Sequence, residues 1–195
     1  QWGGAHCPKI MALVNGNEEK IFGWESDSCG EEYQAFSNAF LPELVAFIKQ
    51  ERIEDKCSFH ITDEPNEKHI ERYKACRDLV KKHIGNMPTM DALSHYEYYE
   101  KGLVDIPVPE LRHVDEFFKN NVQNMLVYNC CEPSDGYYSN RFINMPSQRT
   151  RVLGLQLYET NVNGFLHWGF NFYNSGLSYA EINPYAVTNA GGAFP

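Results

Sequence analysis

From residue 57 onward, short apolar stretches alternate with amphipathic helical stretches, and this alternation constrains the fold more than any other feature. A strand–helix–strand rhythm implies a parallel sheet with helices packed against it. Cys57–Thr62 alternates, with Cys57, Phe59 and Ile61 on one face and Ser58, His60 and Thr62 on the other. A helix is predicted to follow from Pro65 to about Ile84, burying Ile70, Tyr73, Cys76, Val80 and Ile84 and closing at Gly85. Further strands are read at Met87–Leu93, Leu103–Val108, Asn124–Cys130 and Gly164–Phe170, and helices from Pro109 and over Pro146–Tyr158.

Before this region, Lys9–Val14 reads as a buried strand, followed by a polar connection with the turn dipeptide Asn15-Gly16. Ser28 and Glu31 stand at capping-box spacing ahead of a helix running to about Gln50. Its expected stripe is Tyr33, Phe36, Phe40, Leu44, Phe47 and Ile48, and Pro42 either kinks it or divides it. Beyond Asn171 periodicity is weak and turn residues are many.

About six strands are counted, and two architectures compete: an open doubly wound sheet and a (β/α)8 barrel. No strand is followed by a Gly-rich phosphate turn, which weakens a nucleotide-binding sheet. A complete barrel needs eight strands and typically ~250 residues, and this chain has 195. The expectation is α/β, a TIM-barrel-like fold that is incomplete, its first strands and its closing helix missing. Residues 1–195 are then one catalytic-barrel fragment.

Composition excludes some functions. A formal charge of −9, with no Lys/Arg run, opposes binding to nucleic-acid phosphates. No apolar run is long enough to insert through a bilayer. The N-terminus shows no basic-then-apolar leader, and the chain does not start at Met. The compartment stays open. The six cysteines, at 7, 29, 57, 76, 130 and 131, lack zinc-finger spacing and read as free thiols.

Strand ends are where such folds place chemistry. Asp63 and Glu64 follow the 57–62 strand, and Asp91 falls at the next. Tyr128 and Asn129 end another, and His167, Trp168 and Asn171 follow the last. Acids, amides, a tyrosine and a tryptophan together suit a carbohydrate pocket better than a metal or phosphate site. No metal and no cofactor is expected. Adjacent acids narrow the chemistry, because ordinary glycosidases hold their carboxyls on opposite sides of the bond, ~5–5.5 Å or ~6.5–9.5 Å apart. Neighbours in sequence fit a substrate-assisted reaction instead, in which the sugar's 2-acetamido oxygen is the nucleophile. Each residue also has a plainer reading. Asp63 and Glu64 suit a helix start, Asp91 a cap, Tyr128 a satisfied buried phenol, and His60 and Trp168 core packing. Asn140 and Arg141 fit a rim contact, or Arg141 a surface ion pair.

Several blocks, in order, carry a resemblance: ITDEPN, GLVDIPVP, the VYNCC strand end, NRFINMPSQRTRVLGLQLY and GFLHWGFNFYNS. Together they resemble the catalytic barrel of glycoside hydrolase family 123, from WGGAHCPKIM to NPYAVTNAGGAFP. The resemblance implies an exo-acting, retaining, substrate-assisted β-N-acetylgalactosaminidase acting on glycan ends such as those of glycosphingolipids. It implies Glu64 as general acid/base and Asp63 as the residue orienting the acetamido group. Asp91, Tyr128, Trp168 and Asn171 are the substrate-binding candidates from the strand-end reading. Two departures stand out. Family members carry a β-sandwich domain and earlier barrel strands ahead of this region, possible upstream partners here, and many have Ser where Thr62 stands.

Overall fold

The computed structural model describes residues 9–134, 136–142, 145–167 and 169. Its first element is a hairpin, β1 (Ile10–Val14) against β2 (Asn17–Phe22). Asn15 and Gly16 both take positive φ, 53° and 85°, the two-residue turn whose twist matches antiparallel strands. This corrects the expectation of a buried strand over Lys9–Val14. The turn folds the apolar run onto polar Asn17–Lys20, nothing covers its other side among the described residues, and Leu13 is left 75% exposed.

Helix α1 (Glu31–Glu51) runs unbroken through Pro42. Its buried stripe is Tyr33, Ser37, Leu41, Val45 and Ile48, one residue out of phase with the expectation over most of its length. Phe40 and Phe47 face outward, while Phe22, Phe36 and Phe40 form an aromatic row between hairpin and helix. The capping box is also absent. Gly30 is the N-cap, and Ser28 is buried with its Oγ accepting from Arg72 Nε at 3.4 Å and from the Cys76 thiol at 3.5 Å.

Residues 57–62 run beside the next strand in parallel and bend at Asp63 and Glu64. Phe59 N–H donates to Pro88 O (2.8 Å), Met90 N–H to Phe59 O (2.9 Å) and Glu64 N–H to Ala92 O (2.9 Å). Only the Phe59–Thr89 pair makes a regular bridge, because Thr62 N–H is taken by the Asp91 carboxylate (3.1 Å). Pro65 does not open the helix as expected. Asn66 caps a tight turn over Glu67–His69, its Oδ1 accepting from Lys68 N–H at 3.1 Å, and α2 (Ile70–Ile84) continues from it. The predicted stripe of α2 is the buried one, and Gly85 ends it at φ 60°. Each large apolar side chain so buried contributes about 1.5–3 kcal/mol.

The remaining elements are short: β3 (Met90–Ala92), α3 (Glu97–Glu100), β4 (Ile106–Val108), α4 (Asp115–Lys119), β5 (Leu126–Tyr128), α5 (Ser147–Arg151), α6 (Leu153–Glu159) and β6 (Gly164–Leu166). β3 pairs with β4 and β5 with β6, both parallel. A parallel Glu110–Tyr128 bridge joins the two ladders. Each parallel segment therefore neighbours the next in sequence. α1 packs on α2, and Leu41, Val45, Phe59, Ile61, Tyr73, Val80, Tyr98, Phe117 and Val127 share one core. The fold is mixed α/β with small parallel sheets, and the described residues do not close a barrel.

Candidate active site

Glu64 is anchored through its backbone to Ala92 O and takes φ 42°. L-residues avoid this left-handed region at a cost of roughly 1–2 kcal/mol. The bend interrupts the extended segment and leaves Asp63 and Glu64 both exposed at its carboxyl end. The Tyr128 hydroxyl, from the end of β5, donates to Glu64 Oε1. Burial first, then that hydrogen bond and the Glu64 charge, holds the Tyr128 phenol well above its ordinary range. Tyr128 therefore stays protonated and remains a donor.

Glu64 and Tyr128 line a cleft of about 260 Å³ with Asn66, Ser94, Glu110 and Glu132. Glu110 is 6% exposed and is balanced by Arg112, which donates to it from its backbone N–H and its Nε, both at 3.2 Å. Arg112 also reaches Glu132 at 3.4 Å. His95 and His113 stand at the same rim. A larger depression of about 540 Å³, between Lys49, His83 and Asn86, lies at the opposite, amino-terminal end of the strands. It touches none of the adjacent acids.

Asp91 is placed differently from the strand-end expectation. It is fully buried and accepts from Thr62 N–H, from the Tyr73 hydroxyl and from His60 Nδ1 at 2.7 Å. It organises the structure beneath the cleft and does not line it. Asn129 is buried and donates to Ser139 O at 3.1 Å. Asn140 is buried too, and Arg141 lies over the Phe165 ring at 4.6 Å. His167 Nδ1 lies 2.9 Å from Gly169 O. Trp168 and Asn171 lie outside the described residues.

Glu110, Ser94 and Arg112 were not singled out from sequence, although the strand-end rule that found Asp63 and Glu64 reaches them. Ser94 follows β3 and Glu110 follows β4. The PVPE run hides the acid beside a proline that reads as a helix start.

Adjacent carboxylates, a donor phenol and a small polar cleft at the carboxyl ends of parallel strands define the class, an α/β catalytic domain of the glycoside hydrolase kind. The chain belongs to glycoside hydrolase family 123, whose catalytic-domain model matches residues 1–195. Among solved structures it is similar to a family 123 glycoside hydrolase from Clostridium perfringens, solved in a study of glycolipid glycan hydrolysis. The TM-score is 0.61 and the identity 16%, over 83% of this chain and 29% of that one. This chain thus spans under a third of that relative's length. No curated protein matches it.

Proposed function

We propose that the chain carries the catalytic acids of a retaining, substrate-assisted β-N-acetylgalactosaminidase, on an arc of a (β/α)8 barrel. One observation carries the reading: neighbouring acids exposed at a bent strand end, one of them tethered by a phenol inside a cleft. Glu64 donates its proton to the departing glycosidic oxygen. The 2-acetamido carbonyl oxygen attacks the anomeric carbon from the other face and forms an oxazolinium ring. Asp63 accepts the acetamido N–H and balances the positive charge that grows on it. Glu64, now ionised, takes a proton from water as the water opens the ring, and configuration is retained. The reaction needs neither metal nor cofactor. Family membership and the solved relative's work on glycolipid glycans support a glycan end as substrate. The sequential order of the parallel segments supports the barrel arc, since a doubly wound sheet reverses its order.

Turnover of aryl β-N-acetylgalactosaminide, β-N-acetylglucosaminide and β-galactoside tests this. The galactosaminide is expected to be fastest and the galactoside, lacking the amide, barely cleaved. Glu64→Gln should lose 10²-fold or more. Faster glucosaminide release assigns another hexosaminidase. Saturable sugar binding without turnover, unchanged in Glu64→Gln, assigns a binding fragment. Equal rates with and without the acetamido group remove Asp63 from its role.

A further inference from the structure

Consecutive side chains of a strand point to opposite faces, so neighbouring cysteines ordinarily keep their sulfurs apart. Just past β5 this is not so. The Cys130 thiol donates to the Cys131 sulfur at 3.8 Å. The cause is a pinned bend, in which Cys130 N–H turns back to Glu132 O at 3.0 Å. Buried Asn140 clamps it from one Nδ2, donating to Cys130 O (3.0 Å) and Pro133 O (3.1 Å). The bend begins two residues after Tyr128, which holds Glu64, and it contains Glu132, which lines the cleft. Cys131 is exposed and Cys130 half-buried.

We propose that Cys130 and Cys131 form a modification site, a vicinal dithiol that exchanges with low-molecular-weight disulfides and closes reversibly into an intramolecular disulfide at the cleft rim. Exposed Cys131 loses its proton and attacks one sulfur of the small disulfide, whose S–S bond breaks and releases one thiolate. Cys130 then loses its proton and attacks the Cys131 sulfur, expelling the second thiolate. One small disulfide is reduced to two thiols and the protein dithiol is oxidised. Burial, followed by the neighbouring sulfur, pushes the Cys130 thiol up, and the Glu64 charge adds to it, which makes Cys130 the slower, resolving partner. Adjacent Cα atoms across a trans peptide are ~3.8 Å apart, below the usual disulfide span of ~4.4–6.8 Å. The closed ring is therefore strained and readily reopened by thiols.

Oxidised glutathione followed by alkylation and peptide mapping tests this. The tryptic peptide 120–141 contains these two cysteines and no others. In the wild-type chain that peptide should lose two hydrogens, carry no glutathione and resist alkylation until dithiothreitol is added. Cys130→Ser should instead retain glutathione on Cys131. Cys29 and Cys76, whose sulfurs are 3.9 Å apart, are read separately from their own peptides, and a Cys29→Ser chain should give the same result at 130–131. Stable glutathione on wild-type Cys131, or full alkylation of both thiols after oxidation, overturns the proposal. The readout is independent of glycosidase activity, so failure of the function proposed above leaves it standing.

Discussion

Glu64 shows most clearly how local cost and chemistry coincide. A non-glycine residue at φ 42° is held there by its neighbours, through the bond from its N–H to Ala92 O and the Tyr128 hydroxyl on its carboxylate. Such strain is a reason to look for function. It also makes a testable contrast. Glycine visits the left-handed region freely, whereas alanine carries the same Cβ penalty as glutamate. Glu64→Gly should thus be more stable than Glu64→Ala by about 1 kcal/mol in urea unfolding, the reverse of the order inside a helix. Both should lose turnover. Alanine equal to or better than glycine would mean the backbone is not bent there. The residue types of this site were legible in sequence, since ITDEP ends an alternating run in two acids. The Glu64–Tyr128 tether was not, because the two stand 64 positions apart and no local pattern registers a contact made across the two intervening strands, β3 and β4. Asp91 shows the converse. It looks like a strand-end ligand, yet Tyr73 and His60 occupy it from elements that periodicity can place only on a face.

At the scale of elements, α2 was readable residue by residue because its apolar positions are few and cleanly spaced. α1 was not. Its aromatic residues drew the stripe toward Phe36, Phe40 and Phe47, while the buried line runs through small Ser37. A large side chain on a helix is not thereby a buried one. The amino-terminal ends of β3 and β4 are joined by a device that sequence does not announce. Asp105 accepts from Thr89 N–H (2.7 Å) and Thr89 Oγ1 (3.0 Å), and pairs with Lys81 of α2 at 2.7 Å. Partial burial alone would raise the Asp105 pKa, but the hydrogen bonds from Lys81 and Thr89 outweigh it and hold the carboxyl below its ordinary 3.8. A folded-state value below the unfolded one stabilises the native state fully above about pH 4, and the gain disappears as pH falls through the lower value. Asp105→Asn should cost about 1 kcal/mol at pH 7, the partial exposure of the carboxylate having already reduced the figure. The gap between wild type and variant should close in acid. A gap that persists at pH 2 would show that the loss lies in packing and not in charge.

For the molecule as a whole, the parallel segments are unevenly covered. Phe59, Ile61 and Val127 sit in the core, whereas His60, Met90, Leu126 and Tyr128 remain half-buried. Away from the sheet, Leu13, Trp24, Phe47, Leu155 and Tyr158 are each more than half exposed. Single exposed apolar residues are ordinary; five this large are surface available to a neighbour. With the chain spanning 29% of its solved relative, further barrel units and a β-sandwich are the proposed cover. Without them the 195-residue chain should associate with itself. Sedimentation coefficients should rise with concentration, and a naphthalene-sulfonate dye should bind. Leu13→Lys with Phe47→Lys offers a matched control. The ammonium introduced on β1 would face Glu18 across the hairpin, and the one introduced on α1 would lie one helical turn from both Glu43 and Glu51, so each new charge meets an opposite one. Neither of the replaced side chains supports the core, so thermal stability should hold within a few degrees while concentration dependence and dye binding fall. A wild-type chain that sediments as a monomer at all concentrations and leaves the dye unbound would show that these side chains cover one another, and the case for a missing neighbour over the hairpin and α1 would fail with it.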